Sequence, residues 1–148
     1  IKEFDICKSY NQKRIVPSEH IDIVNKGRYI QPFNHVTIMF KRDCYLNSFG
    51  YGNYQYVEDY NLFYNFYIAG YQFHNLKQVL VDVRLPQEGI RKTNLNYLKE
   101  EIFLQLKMHS SGYISSLELL LNILKRFIFR FLPIKVKLFI TKSFLRSY

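Results

Sequence analysis

An unbroken run of residues, 58–69, contains neither proline nor glycine and stops at Gly70. Such a run closed by glycine predicts a helix that ends in a left-handed cap. At about 100° per residue, one stripe of this helix carries an acidic residue followed by apolar ones: Asp59, Leu62, Phe63 and Phe66. Another stripe is polar: Glu58, Asn61 and Asn65. We therefore expect a helix whose apolar face is headed by Asp59 and whose polar face is headed by Glu58.

Asp59 has two interpretations from pattern alone. A carboxylate on the packing face of a first helical turn is costly to desolvate unless it has partners. It could cap the helix by accepting backbone N–H bonds and complementing the dipole. It could equally stand at the rim of a cleft and take a proton from an attacking hydroxyl. Because Glu58 and Asp59 point about 100° apart, they do not face each other like the acid and base of a glycosidase.

The remaining elements are predicted from local composition. Residues 36–40 and 79–83, rich in β-branched side chains, predict strands, and the first of these has the profile of a buried strand. Further features are a helix start after Pro17, a short helix over 44–47, a turn at Gly50 and Gly52, and helices over about 94–109 and 114–132. The mixture of strands and helices indicates the α/β class.

The charge is uneven along the chain. The formal net charge is +9, yet residues 113–148 hold seven basic residues and one acidic residue. We therefore divide the chain into a body, 1–112, and a basic amphipathic tail, 113–148. Three basic side chains on one face of the 114–132 helix disfavour bilayer crossing and favour lying at an anionic membrane surface. Their interleaving with Leu, Ile and Phe, with no nucleic-acid-binding motif, argues against a nucleic-acid partner.

Metal and disulfide chemistry have no sequence signature here. Cys7 and Cys44 lack Cys-x-x-Cys spacing, and the four histidines are scattered, so no metal ligand is predicted. A reducing, cytosolic compartment fits this cysteine usage. The chain opens on Ile1 and reads as a piece of a longer polypeptide.

Four short motifs together resemble the family 2 glycosyltransferases. They are QPFNHVTIMFK at 31–41, FGY at 49–51, VEDYNL at 57–62 and GY at 70–71. Each motif is short, but their order and spacing are specific, and the resemblance extends across most of the chain. It implies the second, acceptor-binding half of a GT-A fold, a Rossmann-like sheet whose first half binds the nucleotide-sugar.

The resemblance also implies roles for individual residues. Asp59 is similar to the base that deprotonates the acceptor hydroxyl, and Glu58 to the acid that orients the site. Asn34 and His35 would line the acceptor side, with Tyr51 placed to meet a sugar; His35 could instead be a hydrogen-bonded residue at a strand end. The resemblance implies a divalent cation, Mn²⁺ or Mg²⁺, in the full-length enzyme, with its ligands outside this chain.

One basic residue is a candidate ligand for a diphosphate. Arg84 follows the predicted 79–83 strand and could reach the leaving group. It could equally pair with Asp82 or Glu88 and take no part in chemistry.

The expected function is sugar transfer with inversion from a nucleotide-sugar donor. The acceptor would be a saccharide or a lipid-linked saccharide in surface polysaccharide biosynthesis, at the inner face of the cell membrane. Two alternatives stay open: a non-catalytic module that binds a membrane surface, and an inactive truncated glycosyltransferase.

Overall fold

A computed structural model describes residues 1–4, 11–84, 95–133 and 136. Its strands are β1 Lys2–Phe4, β2 Asn11–Lys13 and β3 Asp82–Arg84. Its α-helices are α1 His20–Gly27, α2 Arg42–Leu46, α3 Glu58–Ile68, α4 Leu95–Ser110 and α5 Ser116–Phe131. A 3₁₀ turn spans His35–Thr37. The predicted loop over 86–92 and most of the tail beyond Pro133 lie outside the described residues.

The three strands form one small sheet in the order β2-β1-β3. β1 is antiparallel to β2, with Lys2 opposite Lys13, and parallel to β3, with Lys2 opposite Asp82. The described chain is therefore a mixed helix–strand structure that is mostly helical. It is compatible with part of an α/β domain.

Helix α3 is the centre of the core. It begins at Glu58 as predicted and is followed by Gly70 at φ +80°, a conformation that glycine adopts without strain. Residues 60–66 are all buried, so the helix is enclosed on every side. Gly27 lets α1 pass closely, since a Cβ there would lie 2.3 Å from the Phe63 ring. The Tyr60 hydroxyl donates to the Gly27 carbonyl at 2.6 Å, which fixes this approach.

The buried strand predicted over 36–40 is wrong. The Asn34 carbonyl accepts from the Thr37 backbone N–H at 2.9 Å and from its hydroxyl at 2.8 Å, which closes the 3₁₀ turn. Val36 and Met39 are 65% and 96% exposed. The β-branched composition reflects a preference for packing beside neighbouring strands, and the described chain supplies none here.

The predicted helix over 114–132 is confirmed as α5. A capping box starts it: Glu118 N–H donates to Ser115 Oγ, and Ser115 N–H donates to Glu118 Oε2 at 2.8 Å. The polar side of the helix faces the body, where Asn122 is buried against α4. Among the helices that the structure describes, none is long and apolar enough to cross a membrane.

Candidate functional site

The acidic pair lies where α3 begins. Val57, the N-cap residue, provides no side-chain cap. The Asp59 carboxylate pairs with the His35 ring, whose Nε2 lies 3.0 Å from Asp59 Oδ1. An ionised carboxylate can only accept, so Nε2 carries the proton in this pair. Asp59 Oδ1 is therefore occupied by a donor.

His35 also contacts Tyr51. The Tyr51 hydroxyl lies 3.4 Å from His35 Nε2, and the two rings meet edge to face at 5.8 Å. Three separate segments, the 3₁₀ turn, the loop before α3 and the first turn of α3, thus converge on one point. We call Asp59, His35 and Tyr51 the His35 cluster.

Electrostatics tune two members of the His35 cluster. Burial raises the pKa of Asp59 above its ordinary value, and the nearby His35 opposes part of that rise. Burial also raises the pKa of the Tyr51 phenol, and the Asp59 carboxylate raises it further. Asp59 is therefore a stronger base than a solvated aspartate, while Tyr51 stays protonated at neutral pH.

Asp59 and His35 face a cleft of about 1300 Å³. The predicted stripe of α3 forms part of its wall: Asp59, Leu62, Phe63 and Phe66 all line the cleft. A second cavity of about 230 Å³ is lined by His35 and Asp59 as well, together with Arg14, Tyr97 and Arg126. The carboxylate thus lies between two spaces that a ligand can enter.

Several buried polar atoms around the cleft have no hydrogen-bond partner among the described residues. They are Gln31 Oε1, Asn34 Oδ1, His35 Nδ1 and Glu58 Oε2. The first three belong to residues that line the 1300 Å³ cleft beside Asp59. Most buried polar atoms in proteins are paired, so a group of exceptions beside one cleft indicates a place for a hydroxyl-rich ligand or for water.

The polar stripe of α3 turns inward at Asn61 and Asn65 instead of facing solvent. Both side chains are buried, and their amides donate to the backbone of the preceding loop, Asn61 to Tyr51 O at 2.8 Å and Asn65 to Gly50 O at 2.7 Å. Space for this contact depends on Gly52, where a Cβ would lie 2.8 Å from Asn61 Nδ2. The two amides therefore hold the loop that presents Tyr51.

Lys107 of α4 holds the same two asparagine side chains from the other side. The sequence analysis did not predict this contact. Its ammonium donates to Asn61 Oδ1 and Asn65 Oδ1, both at 2.9 Å, and lies 5.0 Å from the Tyr64 ring centroid. Burial lowers the pKa of Lys107. The available signal was two asparagines four positions apart in a helix that is largely apolar and aromatic after its acidic first turn, but their partner lies more than 40 residues away.

Arg84 is placed apart from these residues. It ends β3, pairs in register with Phe4 and is exposed. In the described part of the chain, it does not line either of the two cavities at Asp59. Its role toward a diphosphate stays a prediction.

A bound divalent cation is implied only by the family resemblance. Within residues 1–4, 11–84 and 95–133, no group of three or more His, Cys, Asp and Glu side chains could hold a metal ion. No cation ligand is therefore assigned to these residues.

Three curated proteins are similar to this chain. It is 33% identical over 134 residues to a UDP-Gal:alpha-D-GlcNAc-diphosphoundecaprenol beta-1,3-galactosyltransferase of Escherichia coli, covering 90% of this chain and 48% of that protein. It is 32% identical over 142 residues to the amylovoran biosynthesis glycosyltransferase AmsE of Erwinia amylovora, covering 93% and 52%. An uncharacterized glycosyltransferase of Haemophilus influenzae is 29% identical over 135 residues, covering 90% and 50%.

The chain spans about half the length of the curated relatives it matches. No protein-family model and no solved structure matches it. Each of the three relatives bears the name glycosyltransferase, so the similarity supports a glycosyltransferase role.

Proposed function

We propose that this chain is the acceptor-side part of an inverting glycosyltransferase of the family 2 type, with a GT-A fold, in which Asp59 is the catalytic base. The observation that carries the proposal is the Asp59 carboxylate itself: it lines a large cleft, its pKa is raised by burial, and His35 holds one of its oxygens. The similarity to named glycosyltransferases supports the reaction class.

The chemistry follows from the two oxygens of Asp59. His35 donates to Oδ1, which leaves Oδ2 to accept the proton of an acceptor hydroxyl. As that proton moves to Asp59, the hydroxyl oxygen forms a bond to the anomeric carbon of the donor sugar. The bond from that carbon to the nucleoside diphosphate breaks, and the diphosphate departs with the electron pair. Attack opposite the leaving group inverts the anomeric configuration.

The polar atoms without partners supply the acceptor contacts in this proposal. Asn34 Oδ1 and Gln31 Oε1 can accept hydrogen bonds from sugar hydroxyls, and His35 Nδ1 can accept another when the ring is neutral. Tyr51 acts through His35 by restricting its ring. Glu58, whose Oε2 is buried without a partner, orients the acceptor or the first turn of α3.

The acceptor class is suggested by the relatives. One is named for a diphosphoundecaprenol-linked sugar and another for biosynthesis of amylovoran. We propose a saccharide acceptor, free or lipid-linked, in polysaccharide biosynthesis, with the donor a nucleotide-sugar. The donor site and the cation that assists departure of the diphosphate belong, in this proposal, to a further segment comparable with the other half of the relatives.

Exposed apolar side chains are consistent with such a segment. Val36, Met39 and Leu80 are each at least 65% exposed, and Met39 is almost fully so. Met39 and Leu80 line the 1300 Å³ cleft, and Val36 belongs to the adjoining 3₁₀ turn. A surface of this kind is usually covered by another part of the protein or by a partner.

The stereochemistry of the product tests the proposed reaction. The protein that includes the donor-binding segment is incubated with a nucleotide-sugar panel and an oligosaccharide acceptor, and the new linkage is assigned by proton NMR. We expect the anomeric configuration opposite to that of the donor. Retention would contradict direct displacement assisted by Asp59, and clear donor binding by the 148 residues alone would contradict the half-domain assignment.

A further inference from the structure

Helix α5 has an inverted amphipathic arrangement: its polar side is buried and its apolar side is exposed. Asn122 is 1% exposed and donates to Gln105 Oε1 and to the Arg28 carbonyl, both at 2.8 Å. These two bonds join α5 to α4 and to Arg28, the residue after α1. The buried amide therefore fixes the rotation of α5 about its axis.

Ion pairs reinforce that rotation at both ends of the helix. Near its start, Glu118 accepts from Arg28 Nε at 2.8 Å and from Nη2 at 2.5 Å. Near its end, Arg126 and Arg130 pair with Glu101 at 3.5 Å and 3.4 Å, with only 12% and 6% of their side chains exposed. Two of the three basic side chains expected at a membrane surface thus face the body.

The outward side of α5 is a continuous apolar stripe. Its seven members are 40–72% exposed and follow helical spacing: Leu117, Leu120, Leu121, Leu124, Phe127, Ile128 and Phe131. We call these residues the α5 stripe. An exposed patch that includes seven large apolar side chains on one helix marks a contact surface.

We propose that the α5 stripe binds an anionic membrane surface, with the helix lying in the plane of the interface and its apolar side chains in the boundary between headgroups and acyl chains. Such binding requires no catalytic activity, so it is independent of the proposed function. Such helices bind through buried apolar area together with attraction between basic residues and anionic lipid.

The basic residues near the α5 stripe favour an anionic membrane as the surface that covers it. Lys125 is exposed beside the α5 stripe, and Lys135, Lys137, Lys142 and Arg146 follow Pro133 in the sequence. The acidic residues that contact α5, Glu101 and its own Glu118, are engaged in ion pairs on the inward side. A second copy packed on the same stripe would bring two Lys125 side chains together, whereas anionic headgroups would neutralise this charge.

Vesicle sedimentation of the protein tests the proposal. The vesicles contain phosphatidylcholine alone or phosphatidylcholine with phosphatidylglycerol. The variant Leu120→Gln/Phe127→Gln changes two outward residues of the α5 stripe, and Ile21→Gln/Leu46→Gln changes two comparably exposed apolar residues on α1 and α2. Circular dichroism checks that each variant is folded.

We expect wild type and the α1/α2 control to bind the anionic vesicles, and the stripe variant to bind them at least roughly tenfold more weakly. Lys125→Glu should weaken binding to anionic vesicles as well. Absence of wild-type binding, or equal binding by the stripe variant, would overturn the proposal. A self-association in ultracentrifugation that the stripe variant abolishes, without vesicle binding, would assign the stripe to a second copy and also overturn it.

Discussion

His35 Nε2 lies 3.0 Å from Asp59 Oδ1, which joins a turn after the first helix to the start of the central one. The imidazole lowers the pKa of Asp59, whereas burial raises it by more. Burial and this pairing together set the basicity of a carboxylate that lines both cavities.

Substitution of His35 should move the acid limb of the rate profile. Asp59 must be ionised to act as a base, so activity falls as pH falls through its pKa. His35→Gln removes the influence that lowers this pKa, so we expect the acid limb of kcat/KM to shift to higher pH and kcat at neutral pH to fall on the order of tenfold or more.

The matched control for that variant is Tyr51→Phe. It removes the hydroxyl 3.4 Å from His35 Nε2 but keeps the ring that packs against the imidazole. Its acid limb should stay close to that of wild type. An unchanged profile in His35→Gln would show that the pair does not set the basicity of Asp59.

Lys107 should contribute to stability and to the order of the loop before α3. Lys107→Met leaves Asn61 Oδ1 and Asn65 Oδ1 buried without a donor, so we expect the free energy of unfolding to fall by about 1–3 kcal/mol. Urea unfolding followed by circular dichroism measures this change. Lys99→Met, at an exposed position on the same helix, should have little effect; equal losses in the two variants would contradict the bridging role.

Glu118 should make stability sensitive to acid. Hydrogen bonding from Arg28 is the largest influence that lowers its pKa, to about 2 from an ordinary 4.5. A carboxyl with a depressed folded pKa stabilises the protein above the unfolded pKa, and this contribution is lost as pH falls from about 4.5 toward 2. Unfolding of wild type and Glu118→Gln across that range measures it.

In Glu118→Gln, we expect lower stability than wild type at neutral pH and convergence of the two proteins at the acid end. Glu19→Gln, at an exposed position before α1, serves as the control and should follow wild type throughout. A constant difference between wild type and Glu118→Gln at every pH would contradict the linkage.

Helix positions were predictable because their signals are local. The α3 run stops at Gly70 and the α5 run stops at Pro133, and the observed bounds lie within two residues of those predicted. The strand over 36–40 failed because strand formation depends on a neighbouring strand, which local composition does not report. For the carboxylate at the head of α3, the sequence pattern left a helix cap and a cleft position open; in the structure Asp59 lines a cleft.

Long-range contacts explain what could not be predicted. Periodicity gives the stripes of α5 but not which stripe faces the body. That choice depends on Arg28, 90 residues before Glu118, and on Glu101 of α4, which pair with the polar side of α5. The same holds for α3, where Asn61 and Asn65 are buried because Lys107 and the loop at 50–51 satisfy their amides.

The stability of an Asp59 variant separates a catalytic role from a structural one. Since burial raises the folded pKa of Asp59, the stability it contributes is present at acid pH and is lost as pH rises through that pKa. Asp59→Asn removes the partly buried charge and keeps an oxygen that can accept from His35. We therefore expect its melting temperature at neutral pH to equal or exceed that of wild type.

Turnover by Asp59→Asn tests the central claim most directly, in the protein that includes the donor-binding segment and with Glu58→Gln measured beside it. We predict that kcat of Asp59→Asn falls by roughly 10²–10⁴ while the protein stays folded, and that Glu58→Gln loses less. Wild-type turnover in folded Asp59→Asn would contradict the assignment of Asp59 as the base.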